Sequence, residues 1–313
     1  MPTRNLETLS KGVQAALDKI QSAAEREMLG NYRAVLEEFR GQLASLFERY
    51  SADGILTHAE MTRYNRLLRM ETDFTERLGA VLAENKKTLS RLSGAQYEES
   101  YFRNAWAIKQ STGAALKWGA LNEATIKAAT ESELLQLAKA ELTLKAKIQL
   151  RRTIVQGLLR GSSYPQMARD LKEFTGKLAW ENLRIARTEA HKAAVKGQLD
   201  NYDSAPDGLE LKRIWVATLD DRTRPDHGTM DGVEADAEGI FHTPWGPVTG
   251  PGIEGPAEEV INCRCRVRAE VEGLPAPAIR RIRDEGVQEY TTYTDWVKKK
   301  GWTRNKYGQE ITG

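Results

Sequence analysis

The apolar residues of this chain change their period once, and that change bounds what the chain can fold into. From Leu17 onward they recur every three or four positions: Leu17, Ile20, Ala24 and Met28, then Val35, Phe39, Leu43, Leu46 and Tyr50. That spacing lays one stripe along a helix face. A break is expected near Gly30, and Ser51-Ala52-Asp53-Gly54 is turn chemistry. Thr57 with Glu60 three places on reads as a capping box for a helix carrying Met61, Tyr64, Leu68, Leu78 and Leu82 and fading around Ser93-Gly94. Two more helical stretches are expected, near 95–118 and 120–150, and almost nothing before residue 150 reads as strand. His58 stands alone beside a helix start, away from any catalytic grouping.

Ser162-Ser163-Tyr164-Pro165 starts another helix, with proline tolerated in its first turn. Gly176 is expected to divide it from a helix over about Leu178–Tyr202, which stops before the turn residues Ser204-Ala205-Pro206-Asp207-Gly208. The period then shortens. Residues 211–217 are β-branched and aromatic enough for a strand, residues 220–257 are rich in Gly, Pro and Asp with a short hairpin over Phe241–Val248, and residues 259–271 alternate as a second strand. Leu274-Pro275-Ala276-Pro277 is linker-like, followed by short helical stretches near 278–286 and 294–300. The expected architecture is α+β: a long, mostly α-helical N-terminal half, then a small α+β domain with a short β-sheet. In chain order this gives a helical arm or bundle over 1–150, the α+β domain over 151–272, and a C-terminal tail over 273–313.

Composition narrows the function classes. The 313 residues are 40% hydrophobic and 29% charged, the balance of a soluble globular protein. No apolar run approaches the roughly 20 residues of a membrane helix, and Met1–Ser10 has no apolar signal core. Net charge is only +2 but unevenly placed: residues 143–200 carry 12 Lys+Arg against 5 Asp+Glu, and residues 201–279 carry 7 against 15. The basic segment could meet DNA or an acidic surface, but compensation by the neighbouring acidic segment needs no partner. Cys263 and Cys265 are too close in sequence to suit a disulfide, so reduced thiols or a metal fit better.

Three clusters carry the chemistry. Arg187-Thr188-Glu189 lies on the last long helix, beside a small-residue stripe of Ala186, Ala190, Ala193 and Gly197 that lets another backbone approach. A partly buried Glu189 needs a partner, and the turn after the first strand offers arginines. That turn is Asp220-Asp221-Arg222-Thr223-Arg224-Pro225-Asp226-His227, followed by Asp231-Gly232. Arg187, Glu189, Asp220, Arg222, Arg224 and Asp231 are therefore the expected polar network, with an Arg fork holding a carboxylate. The third cluster is Asn262-Cys263-Arg264-Cys265-Arg266. If it is strand, Cys263 and Cys265 share a face, and with His227 and His242 they supply the ligand set of a structural zinc; two small core cysteines with unrelated histidines are the plainer alternative.

In this order, Ala186 to Glu189, Trp215 with Ala217, Asp220 or Asp221 through His227, Asp231-Gly232 and Asn262 to Cys265 resemble the phage head-morphogenesis family typified by the Mu protein F, the MuF domain. The resemblance covers about residues 150–270. It implies a minor head protein of a tailed phage or prophage, acting in capsid assembly at or near the portal, in the virion head interior and, during assembly, the host cytoplasm. It implies the portal protein or other head proteins as partners and contact with packaged double-stranded DNA, with no residue assigned to nucleic acid. The same domain is reused in toxin-like proteins. The competing expectations are enzymes. A metal-dependent nuclease would use His227, His242 and the aspartates of 220–231 around an open coordination position. An ADP-ribosyltransferase would use Glu270-Val271-Glu272, which imitates that class's paired glutamates. With no accompanying Ser-Thr-Ser-like strand and with two cysteines and two histidines filling a tetrahedral metal, the chain is expected not to be an enzyme. A pure DNA-binding module has no helix-turn-helix, zinc-finger spacing or stacking platform behind it.

Overall fold

A computed structural model describes residues 6–112, 121, 123–131, 133–205, 208–271, 273, 279–282 and 285–311. The long helical region comes first: α1 (Leu6–Tyr50), α2 (His58–Thr62) with a 3-10 turn at Arg63–Asn65, α3 (Arg66–Thr112), α4 (Glu123–Thr130), α5 (Glu133–Leu159) and α6 (Tyr164–Asp203). The smaller α+β part follows, as expected: β1 (Leu211–Val216), α7 (Pro225–Thr229), β2 (Phe241–Thr243), β3 (Gly246–Val248), α8 (Ala257–Val260), β4 (Arg266–Val271), β5 (Ile279–Ile282), β6 (Gly286–Glu289) and α9 (Tyr293–Lys300).

The expected helix breaks at Gly30, Ser93-Gly94 and Gly176 do not occur; each lies inside one continuous helix. A single glycine costs a helix only about 1 kcal/mol relative to alanine, which is less than the packing these helices gain. The real interruption is at Tyr64 and Asn65, which take left-handed φ of 53° and 58°. Thr57 caps α2, its side chain accepting from the Glu60 N–H at 3.2 Å, but α2 ends at Thr62, and Tyr64 and Leu68 are exposed rather than core. The expected linker at Leu274–Pro277 and the helix end at 113–118 lie outside the described residues.

The chain forms two compact units that do not follow chain order. One comprises Ser22–Arg91 and Ser132–Ala186. Its described elements are helices joined by short turns, and its core joins Phe39, Leu43, Phe47, Phe74, Leu78, Leu150, Ile154, Leu171 and Phe174. Phe39 and Phe74 meet edge to face at 4.6 Å between ring centroids. Apolar stripes of three- and four-residue spacing on α1, α3, α5 and α6 close on one another here, as the periodicity requires.

The other unit comprises Met1–Gln21, Leu92–Glu131 and Arg187–Gly313. At 45, 47 and 40 residues, α1, α3 and α6 are far longer than the 10–14 residues usual in globular proteins, and each supplies a segment to both units. Within this unit the small-residue stripe of α6 does what its composition suggested. Gly197 faces α3 so closely that a Cβ there would stand 2.2 Å from the Tyr97 carbonyl oxygen. Tyr97 donates a hydrogen bond to Asp200, and Gln198 donates to the Val267 carbonyl at 2.6 Å, tying α6 to the sheet.

Strands β1 and β4 pair antiparallel, Leu211 opposite Val271 through Val216 opposite Arg266. Strands β2 and β3 form the expected hairpin. Trp215 on β1 is fully buried at the centre of the core, with Phe241, Val267, Cys263, Cys265, Tyr293 and Trp296 around it. Two sequence expectations change. Residues 259–265 are not strand: α8 ends at Val260, Asn262 turns with φ 56°, and β4 begins only at Arg266. The stretch near 278–286 is not helix but part of a β5–β6 hairpin, Ile279 opposite Glu289. Beyond the hairpin, Tyr293, Trp296 and Val297 are buried in this same core.

Candidate metal centre

His227 is delivered by the turn that follows β1. Pro225 starts the one-turn helix α7, and the Asp220–Arg224 turn before it is held by Thr223, whose hydroxyl donates to the Thr218 carbonyl. The imidazole is buried, stacked on Trp245 at 4.9 Å between ring centroids and edge-on to Trp215 at 6.0 Å. Its Nδ1 faces both thiols, 3.3 Å from Cys265 Sγ and 3.6 Å from Cys263 Sγ. Its Nε2 is 2.8 Å from the Glu259 carboxylate. The ligand atoms of His227, Cys263 and Cys265 all lie within 4.8 Å of one another.

The two cysteines converge although neither is on a strand. Left-handed Asn262, whose N–H donates to Thr188 Oγ1 at 3.2 Å, swings the chain out of α8 toward α6, and both thiols enter the core free and buried. Their proximity splits their acidities. The contact with Cys265 pulls the Cys263 thiol below its ordinary value, whereas the contact with Cys263 and burial push Cys265 well above it. Two sulfurs and an imidazole nitrogen are a borderline-soft donor set suited to zinc. The carboxylate on the outer nitrogen of His227 is the usual support for a metal-bound histidine. The three groups can coordinate a metal ion, and the donor chemistry fits a structural zinc.

His242, expected as a ligand, is not brought to this place. Its side chain is 74% exposed on β2 and pairs with Asp236 at 2.7 Å. Strand alternation explains it: Phe241 takes the inward position and is fully buried, so His242 faces out.

The arginines and carboxylates around the centre are paired differently from the expectation. Arg264 grips Asp220 with both guanidinium nitrogens, one at 2.8 Å, and Arg222 closes on the same carboxylate at 3.4 Å. Burial pushes the Asp220 carboxyl up, but the Arg264 hydrogen bonds and charge outweigh it and hold its pKa at about 2. Arg224 donates to the Ile261 carbonyl at 2.6 Å and stands 3.9 Å from Glu259, so it fixes α8 and the acid that supports His227. Glu189 is buried on α6 and Arg187 half-buried beside it, but the forks of Arg222 and Arg224 are spent on Asp220 and on α8. Asp231 is held by Arg280, at 2.6 and 2.9 Å. Arg264, Glu259, Arg280 and Trp245 were missed in the sequence. Arg264 was in view between the two cysteines, whereas Arg280 is 49 residues from Asp231 and gave no local signal.

A further histidine borders the cluster. His191 on α6 hydrogen-bonds the Pro251 carbonyl through its ring, and its Nε2 is buried with no hydrogen-bond partner. Burial above all pushes its pKa down to about 4.

A family model described as Phage Mu protein F like protein matches residues 148–268. The chain is similar to minor head protein GP7 of Bacillus phage SPP1, 30% identical over 294 residues that cover 91% of this chain and 95% of that protein. It is also similar to NAD(+)--arginine ADP-ribosyltransferase EFV of Enterococcus faecalis, 27% identical over 298 residues, 91% of this chain but only 59% of that protein. No solved structure matches.

Proposed function

Because the chain belongs to the family of phage minor head proteins that carry the Mu protein F-like domain, we propose that it acts in head morphogenesis of a tailed phage or prophage. The observation that carries this reading is the extent of the match to GP7, which runs over 95% of that protein and so takes in the helical region as well as the α+β domain. Its partners are the portal protein and other head proteins, and its places are the host cytoplasm during assembly and then the head interior. Among the described residues no helix is long and apolar enough to cross a membrane, which agrees with those partners. The basic 143–200 segment is the place for any contact with packaged DNA, which would weaken with salt.

The transferase relative supports a second reading, and the chain spans 59% of that protein's length. Against it, Glu270 on β4 is ion-paired with Arg268 at 2.5 Å rather than presented to a substrate. Against a nuclease, His227 and His242 stand apart, and Asp220 and Asp231 are taken up by arginines. We therefore read the protein as a structural component without catalytic activity. Co-expression with the portal protein of the same phage or prophage tests both readings. Co-purification, with no transfer of label from NAD to protein and no cleavage of DNA with added divalent metal, is the expected result. Turnover in either assay, abolished by Glu270→Gln or His227→Ala, would replace the proposal.

A further inference from the structure

The three-ligand cluster leaves open whether the centre is a closed structural site or has a vacant position for water. Several independent features of the chain converge on one answer. His191 Nε2 is buried without a hydrogen-bond partner, a costly state for a polar atom. It borders the same small space as the thiols: a Cβ built on Gly252 would stand 3.1 Å from His191 Nε2 and 3.2 Å from Cys263 Cβ. Gly252 has φ +77°, and its missing side chain keeps that space clear. His191 lies outside the 4.8 Å set of the other three ligand atoms, but its outer nitrogen is already satisfied. The ring hydrogen-bonds the Pro251 carbonyl, as the His227 ring does the Glu259 carboxylate. Metal-bound histidines are oriented in this way, through a carbonyl or carboxylate on the nitrogen that does not face the ion.

We propose that His191, not His242, is the fourth ligand of a closed Cys2His2 zinc site formed with His227, Cys263 and Cys265, and that Glu259 and the Pro251 carbonyl orient the two imidazoles. The site then joins α6, the α7 turn, the 250–252 loop and the start of β4 within one unit. It provides a cross-link within a small core built on three two-stranded sheets, and four protein ligands leave no position for catalytic water.

The test uses the full chain purified without chelator. Elemental analysis should find about one zinc per chain, the stoichiometry of a single tetrahedral site. His191→Ala should lose most of it, and His242→Ala should keep it all. The variant His191→Cys guards against a simple folding defect. In the cobalt-loaded form it should raise the sulfur-to-metal charge-transfer band by about half, because a third thiolate joins two, while tetrahedral d–d bands persist. Three results overturn the proposal: no zinc in the parent chain, full zinc in His191→Ala, or an unchanged charge-transfer band in a folded His191→Cys.

Discussion

Asp231 accepts four hydrogen bonds, two from Arg280 and one each from the Ala217 and Tyr293 N–H groups. Arg280 also donates to the Thr291 and Ala217 carbonyls. One carboxylate thus ties the end of β1 to β5 and to the start of α9, all out of water. Removing one partner of such a pair strands a buried charge, so Asp231→Ala should lower unfolding stability by about 3–5 kcal/mol. A urea midpoint close to the parent's would contradict this. Asp220 gives a pH prediction. Its pKa is lower folded, about 2, than the ordinary 3.8, so between those values the unfolded chain binds more protons and stability decreases as the pH is lowered. The pair's contribution, on the order of 2 kcal/mol, is complete above about pH 4 and disappears as pH drops toward 2. Asp220→Asn should therefore be less stable than the parent at pH 6, and the gap should close on acidification. A gap that stayed constant with pH would refute the pairing.

Helix α6 illustrates what an element can and cannot disclose. Its small stripe was readable because close backbone approach has only one chemical solution, the absence of a side chain, and Gly197 against Tyr97 meets that requirement. Gly197→Ala should lower stability by about 1–3 kcal/mol. Gly30→Ala, in open space inside α1, should raise it by up to about 1 kcal/mol. Two equal shifts in thermal unfolding would show that helix propensity alone, and not packing, governs these sites. Strand β1 and the β2–β3 hairpin were readable from β-branched content and turn residues. The β5–β6 hairpin was not: Ile279 and Ile282 stand three apart, which imitates a helix, and only pairing with residues 286–289 makes them strand. The histidine ligands show the same limit. The chain has four histidines, and His227 and His242 are the two in the loops that precede the cysteines. His191, adjacent to the Arg187–Glu189 cluster, is brought beside Gly252 and Cys263 only through the placement of α6.

At the scale of the whole molecule, cuts at 150 and 272 followed changes of period, whereas the compact units take residues from distant parts of the chain. Gln96 donates to the Leu17 carbonyl at 2.8 Å, and such a contact between helices 79 positions apart has no trace in local spacing. The family was readable earlier than the architecture, because its polar clusters occur in fixed order around one small core. The proposed role follows from that core and the helical region being present together. The most direct measurement is quantitative mass spectrometry of heads purified from the phage or induced prophage that encodes the chain. The account predicts the protein in the head fraction, at a small fraction of the major shell protein and alongside the portal. Its absence from heads and procapsids, with the protein recovered only free in the lysate, would contradict a role as a head protein.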